Sequence, residues 1–264
     1  MRLHDYLART HVAGPLQPTL DTLRRLHAAH RETFLFENLS IQSGGVVSVA
    51  PEDVARKFLD QGRGGYCFEH NTLFGSVLAE AGFAPAALLG RVRRGPPERW
   101  ARTHMVLRVP VADRHPVWLA DVGFGAVGLV EPIPLEEGAT STQRGLTFSL
   151  RKEAHLWVLT ARDAHQTMDL YEFAEDPQTA GDIVVANHYT STHPESVFRR
   201  TLTIQRVQGD ERIVLRNETL TRWQGGRASE TTIERQRLPQ VARDLFGVEL
   251  PAHLLYQDAE ETLG

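Results

Sequence analysis

Cysteine is almost absent from this chain: Cys67 is the only one in 264 residues. One thiol excludes an internal disulfide and any zinc site built from several thiolates, which leaves it two uses, core filler or reactive group. Lysine is nearly as scarce, with Lys57 and Lys152 alone among 29 basic residues. The bases are scattered and outnumbered by 33 acidic residues, for a formal net charge of -4. No global field attracts a polyanion, so nucleic acid is excluded as a partner. Long apolar runs are missing as well, and nothing in the sequence could span a bilayer, so no membrane partner is expected. The opening residues "MRLHDYLART" include Asp5 and hold no apolar targeting core, so a cytoplasmic location is expected. No metal is expected either. The pairs His27/His30 and His188/His193 lack a carboxylate at a spacing such as H-E-x-x-H and read as solvated or helix-face histidines.

What remains is an ordinary globular composition, 41% hydrophobic and 23% charged, in a chain long enough to bury a sizeable core. Leu20, Leu23 and Leu26 recur at helical spacing after Pro18, predicting a helix over residues 18–34. Pro51, Glu52 and Asp53 begin a second helix that stops at Gly62. A third starts near Cys67, with Leu73, Phe74, Val77 and Leu78 on one face, and ends at Gly82. The period then changes. "FAPAALLGRVRR", "THMVLRVPV", "HPVWLADVG", "LTFSLRK", "HLWVLTA", "QTMDLYEF", "TLTIQRV" and "RIVLRNETL" read as strands of an antiparallel meander or barrel. Leu238, Val241, Leu245 and Phe246 give one late helix closed by Gly247. The class is α+β.

In "QGRGGYCFEH" the thiol stands between a glycine loop and a helix start. Unpaired backbone N–H groups and the helix dipole favour an anion there, and a thiolate is such an anion. A small buried hydrophobe is the competing reading. A thiolate nucleophile needs a proton partner and a group to orient that partner. His104 opens one β run and Asp121 closes another, and a carboxylate at a strand end could fix an imidazole. For each of them, an ordinary core or surface role is the alternative. "GFGAVG", residues 123–128, matches G-x-G-x-x-G, but Pro132 and Pro134 forbid the helix that a dinucleotide site requires. Glu69 is read as structural, capping the helix or binding a neighbouring arginine. Phe36, Trp100 and Phe124 lie beside these motifs and could line an apolar pocket.

"RGGYCFEHN", "RTHMVLRV" and "ADVGFG", with "FENLS" upstream and "STHPESVF" downstream, resemble the arylamine N-acetyltransferase family in the same order across residues 36–198. Leu35 departs from the proline expected there, which touches the shape of the loop and leaves the three chemical positions intact. The resemblance implies Cys67 as acyl acceptor, His104 as proton partner and Asp121 as orienting carboxylate, a papain-like Cys-His-Asp triad. It implies an N-terminal helical bundle over 1–85, a β-barrel domain over 86–190 and a C-terminal α/β lid over 191–264. It further implies acetyl-CoA as cosubstrate and arylamines, arylhydrazines or arylhydroxylamines as acceptors. Phe36 and Phe124 would touch the acceptor, and Thr103 and Gly125 would lie near the CoA thiol end. Three alternatives remain open: an amide synthase of the same fold fed by a carrier-bound acyl chain, a thiol hydrolase, and a binding protein with an inert cysteine.

Overall fold

A computed structural model describes residues 2–111, 114–225 and 227–256, with only the backbone described for 114–116. The chain begins with helices: α1 (Leu3–Thr10), α2 (Leu20–Thr33), α3 (Leu39–Gln42), α4 (Pro51–Ala55), continued by a π-helical turn over Arg56–Asp60, and α5 (Cys67–Glu80). The Thr19 side chain caps α2 by accepting from the Thr22 N–H, and Leu20, Leu23 and Leu26 form its inward face. Between α2 and α3 runs a two-residue strand, β1 (Phe36–Glu37).

Eight strands follow: β2 (Ala86–Val92), β3 (His104–Val111), β4 (Arg114–Ala120), β5 (Ile133–Pro134), β6 (Thr140–Gln143), β7 (Leu146–Glu153), β8 (Leu156–Arg162) and β9 (Thr167–Phe173). They form one antiparallel sheet in the order β5-β4-β3-β2-β9-β8-β7-β6. The edge strands β5 and β6 are consecutive in the chain, so the sheet curls into a nearly closed barrel. Strand alternation sorts its residues between two cores. Val106 and Leu119 point inward with Leu88, Phe148, Leu159 and Tyr171. Leu107, Val109, Trp118 and Ala120 point outward, into the apolar cluster of the helices. Strand β3 and the Trp118–Ala120 end of β4 are thus buried on both faces, which is why those stretches read as almost continuous apolar runs.

The remaining elements are α6 (Ala180–Thr192), α7 (Val197–Arg200), β10 (Thr203–Gln208), β11 (Glu211–Arg216), β12 (Thr219–Gln224), β13 (Arg227–Thr232) and α8 (Leu238–Phe246). A second antiparallel sheet runs β1-β10-β11-β12-β13, so the early segment carrying Phe36 is a strand of the late sheet. One face of that sheet packs Ile204, Ile213, Leu215 and Leu220 against Leu238, Ala242 and Phe246 of α8. The segment "RIVLRNETL", expected as one strand, is a hairpin: Asn217 adopts φ 48° and turns β11 into β12. Helix α6 carries no helical apolar period, because Val184 and Val185 face solvent while Ile183 is buried. Of the segment expected as a lid, residues 226 and 257–264 lie outside the described residues.

Close backbone approach explains the glycines before Cys67. A Cβ on Gly64 would stand 1.9 Å from the Leu35 carbonyl oxygen, a contact with backbone that no rotamer relieves. Gly75, in the middle of α5, has room: its Cβ would meet the Leu107 methyls at 3.6 Å. Gly64→Ala is therefore expected to cost about 3 kcal/mol or more in urea unfolding. Gly75→Ala should be neutral or gain up to about 1 kcal/mol, since helix propensity improves without a clash.

Candidate active site

Cys67 is the first residue of α5, and Tyr66 before it is extended. The Tyr66 N–H donates to the Glu69 carboxylate at 3.2 Å, and the same carboxylate takes Lys57 Nζ at 2.6 Å. Glu69 is thus a helix-start cap held by a lysine rather than by an arginine. The Cys67 Sγ lies 3.6 Å from the Thr103 carbonyl oxygen, which places the sulfur beside the residue that precedes β3.

His104 begins β3 and Asp121 follows β4. The two strands are antiparallel with Leu107 opposite Ala120, so the start of one and the exit of the other share an end of the barrel. His104 Nε2 and Asp121 Oδ2 meet there at 2.8 Å, both fully buried. This leaves the other imidazole nitrogen to serve the thiol of Cys67, which shares the same cavity wall. Burial alone would lower the His104 pKa. The Asp121 charge and hydrogen bond, aided by Cys67, outweigh burial and raise it to about 10. Burial likewise pushes Asp121 up, but His104, Asn71 and the Gly123 N–H together hold it down at about 2.

Sequence reasoning missed two residues that hold Asp121, one at its carboxylate and one at its backbone N–H. Asn71 Nδ2 donates to Asp121 Oδ1 at 3.0 Å and to the Met105 carbonyl at 2.7 Å, while its oxygen accepts from the Val122 N–H. Its position was legible in principle, since Asn71 lies one helical turn after Cys67 on the same face. His27 Nε2 accepts from the Asp121 backbone N–H at 3.2 Å, and its Nδ1 is 2.8 Å from the Val130 carbonyl. No local signal marked that contact, which spans most of a hundred residues. Of the reading of His27 and His30 as solvated or helix-face histidines, the solvated part is corrected: both lie on the inner face of α2 and are fully buried. His188 and His193 are exposed. Among the described residues no group of three or more His, Cys, Asp or Glu side chains could hold a metal ion.

Phe36, Cys67, Thr103, His104 and Phe124 share the wall of one cavity of about 1050 Å³, to which Trp100 also belongs. Phe36 stacks on His70 with ring centroids 6.0 Å apart, and Phe124 meets the His104 ring edge-on at 5.0 Å. Gly125 stands outside the wall. Its carbonyl accepts from Arg31 at 2.6 Å, and its backbone packs on the Gln205 amide, whose oxygen takes the Ala126 N–H at 2.6 Å. No helix follows the 123–128 turn.

A family model described as N-acetyltransferase matches residues 19–255, which sets the class of this chain as an acyltransferase. It is 38% identical over 224 residues to the arylamine N-acetyltransferase of Mycolicibacterium smegmatis, covering 83% of this chain and 82% of that protein. To the Escherichia coli arylamine N-acetyltransferase it is 35% identical over 242 residues, 91% of this chain and 84% of the relative. Its fold superposes on the arylamine N-acetyltransferase of Mycobacterium marinum, solved in complex with CoA, with a TM-score of 0.88 at 35% identity, covering 93% of this chain and 92% of the other. The chain belongs to the arylamine N-acetyltransferase family.

The ion pair predicts a pH dependence of stability. His104 binds its proton more tightly folded than unfolded, so its contribution is full below about pH 6.5 and is lost as pH rises towards about 10. Asp121 has the opposite sign, full above about pH 3.8 and lost as pH falls towards about 2. In urea unfolding, the stability gap between wild type and Asp121→Asn should be widest between about pH 4 and 6.5 and narrow steadily up to pH 10. A gap constant from pH 5 to 10 would show that the pair is not ionised.

Proposed function

We propose that the protein transfers an acetyl group from acetyl-CoA to the nitrogen of arylamines and arylhydrazines, and to the oxygen of arylhydroxylamines, through an acetyl thioester on Cys67. The observation that carries this reading is the convergence of the Cys67 sulfur, the His104 imidazole and two aromatic rings in one cavity, with Asp121 buried behind the imidazole. We further read the late sheet and α8 as a cover over that cavity, and the three regions 1–85, 86–190 and 191–264 as its working parts.

With the proton already held on the His104 imidazole, the Cys67 sulfur attacks the thioester carbonyl carbon. The bond from that carbon to the CoA sulfur then breaks, and His104 returns its proton to the leaving sulfur. The two sides are both thioesters, so this half-reaction is near balance and the protein's task is positioning. In the second half the acceptor nitrogen attacks the acetyl carbon, the carbon–sulfur bond to Cys67 breaks, and the nitrogen's proton passes through His104. Arylamines are weak bases and arrive unprotonated, ready to attack. Phe36 and Phe124 suit a flat ring and keep water from the thioester. Thr103, whose carbonyl touches the sulfur, lies where the donor's thiol end must enter.

Intact-protein mass spectrometry after mixing with acetyl-CoA, in the absence of acceptor, should show one added acetyl group that Cys67→Ala abolishes. His104→Gln and Asp121→Asn should slow acetylation by about 10²- to 10⁴-fold. An unmodified wild-type mass would remove the covalent reading. Release of free acetate without amine would point to a hydrolase, and acylation by long carrier-bound chains but not by acetyl-CoA would point to an amide synthase.

A further inference from the structure

The catalytic cavity holds cationic charge that the protein leaves unneutralised. Arg94 and Arg216 both line it, and among the described residues neither side chain has an ion-pair or hydrogen-bond partner. The acids in the same wall are engaged elsewhere. Glu195 pairs with Arg200, and Glu218 pairs with Arg235 at 2.8 Å while accepting from the Tyr256 hydroxyl. Glu230 accepts from the Thr221 hydroxyl. Both arginines are exposed in the cavity wall, and the Arg216 pKa is lowered by desolvation and by the charge of Arg94. Placing two like charges in one wall costs free energy unless a ligand of opposite sign joins them.

Their positions fit a particular ligand. Gly90 pairs with His104, and β2 runs on past that point to Val92 before the chain reaches Arg94. At strand rise this sets Arg94 on the order of 10 Å outward from the triad end of the barrel. Arg216 ends β11, two residues beyond Val214, which shares a sheet row with Gln205 behind the Gly125 loop. Arg94 thus follows β2 outward of the triad and Arg216 stands on the late sheet, and both remain in the wall of the cavity that holds Cys67. A pantetheine arm extends from a thioester at Cys67 far enough to bring phosphates to them.

We propose that Arg94 and Arg216 form an anion subsite in the cavity wall that binds phosphate groups of the CoA thioester donor. The inference rests on the acetyl-CoA reading above and names the residues that select a phosphorylated donor. Guanidinium groups suit this task because they offer forked donors to phosphate oxygens and stay charged.

Steady-state kinetics of the full chain with three donors tests it: acetyl-CoA, acetyl-dephospho-CoA and S-acetylpantetheine. Arg94→Ala and Arg216→Ala should each raise KM for acetyl-CoA about tenfold or more, with kcat nearly unchanged. Neither should move KM for S-acetylpantetheine, which carries no phosphate. Added salt should raise the wild-type KM for acetyl-CoA and leave that of the double variant flat. Loss of the effect with acetyl-dephospho-CoA assigns the subsite to the 3′-phosphate, and its persistence assigns it to the pyrophosphate. Arg216→Lys, which keeps the charge, should fall between wild type and Arg216→Ala, and thermal melts establish that each variant is folded. An unchanged KM for acetyl-CoA, equal changes with S-acetylpantetheine, or a change confined to a carboxylated acceptor such as 4-aminobenzoate relative to aniline would overturn the proposal. If S-acetylpantetheine still acetylates wild-type Cys67, such a failure touches the subsite alone. If no donor acetylates Cys67, the reading beneath it falls.

Discussion

A carboxylate with almost no access to water is the constraint on which this structure turns. Asp121 is 1% exposed, and an isolated buried charge would be costly, so every lone pair must find a donor. The donors come from distant parts of the chain: His104 from the first residue of a strand, Asn71 from the helix that begins at Cys67, and the Gly123 N–H from the following turn. The backbone N–H of the same residue is held by His27 of α2. One residue thus ties two helices to one end of the barrel, and Cys67 is carried there by the same helix that supplies Asn71. The approach is so close that a Cβ on Gly123 would come within 2.8 Å of the Cys67 Cα. Packing and electrostatics make the same demand here, since the glycine that lets the helix dock also gives its N–H to the carboxylate.

A second joint sits at residues 35–38. The Leu35 carbonyl accepts from the Gly65 N–H and from His70 Nε2, the Glu37 N–H donates to the Gly65 carbonyl, and Glu37 binds Arg63 at 2.8 Å. Asn38 then ties this strand to the late sheet, donating to the Phe198 and Thr201 carbonyls and accepting from the Thr203 N–H. The proton positions behind Leu35 follow from donor counting. His70 Nε2 must donate to a carbonyl, so its Nδ1 accepts from His30 Nε2, and His30 Nδ1 accepts from the Tyr6 hydroxyl. A one-way chain of hydrogen bonds therefore runs from Tyr6 to the backbone that presents Phe36 to the cavity. The departure from proline at position 35 leaves this arrangement whole, because what the network uses there is a carbonyl, which either residue supplies.

How much of this was legible in sequence depended on whether the signal was local. The helices at Leu20, Pro51 and Cys67 were readable because periodicity and caps agree, and the strands because apolar side chains alternate or run continuously. Helix α6 was not readable: Val184, Val185 and Tyr189 put apolar groups towards solvent and blur the helical period. The hairpin at Asn217 was hidden because its turn uses a left-handed asparagine with no glycine to mark it. At the site, Cys67 announced itself by its glycine loop. The contribution of His27 depends on a long-range contact, and one sequence carries no trace of which distant backbone N–H a buried imidazole will accept from.

The four buried histidines among the described residues show what the carboxylate does. His27, His30 and His70 are buried with neutral partners or near the Arg31 charge, and burial drives their pKa values down, to about 4 for His27 and about 3 for His70. His104 is buried as deeply, yet its pKa goes up, because it alone has a carboxylate on one nitrogen. Three imidazoles thus serve as fixed neutral struts, while the fourth is held as a cation beside a sulfur. Burial by itself would have made His104 a poor proton store. Asp121 reverses the sign, and the helices, the barrel end and the Gly123 turn converge on that carboxylate to keep it ionised where water cannot.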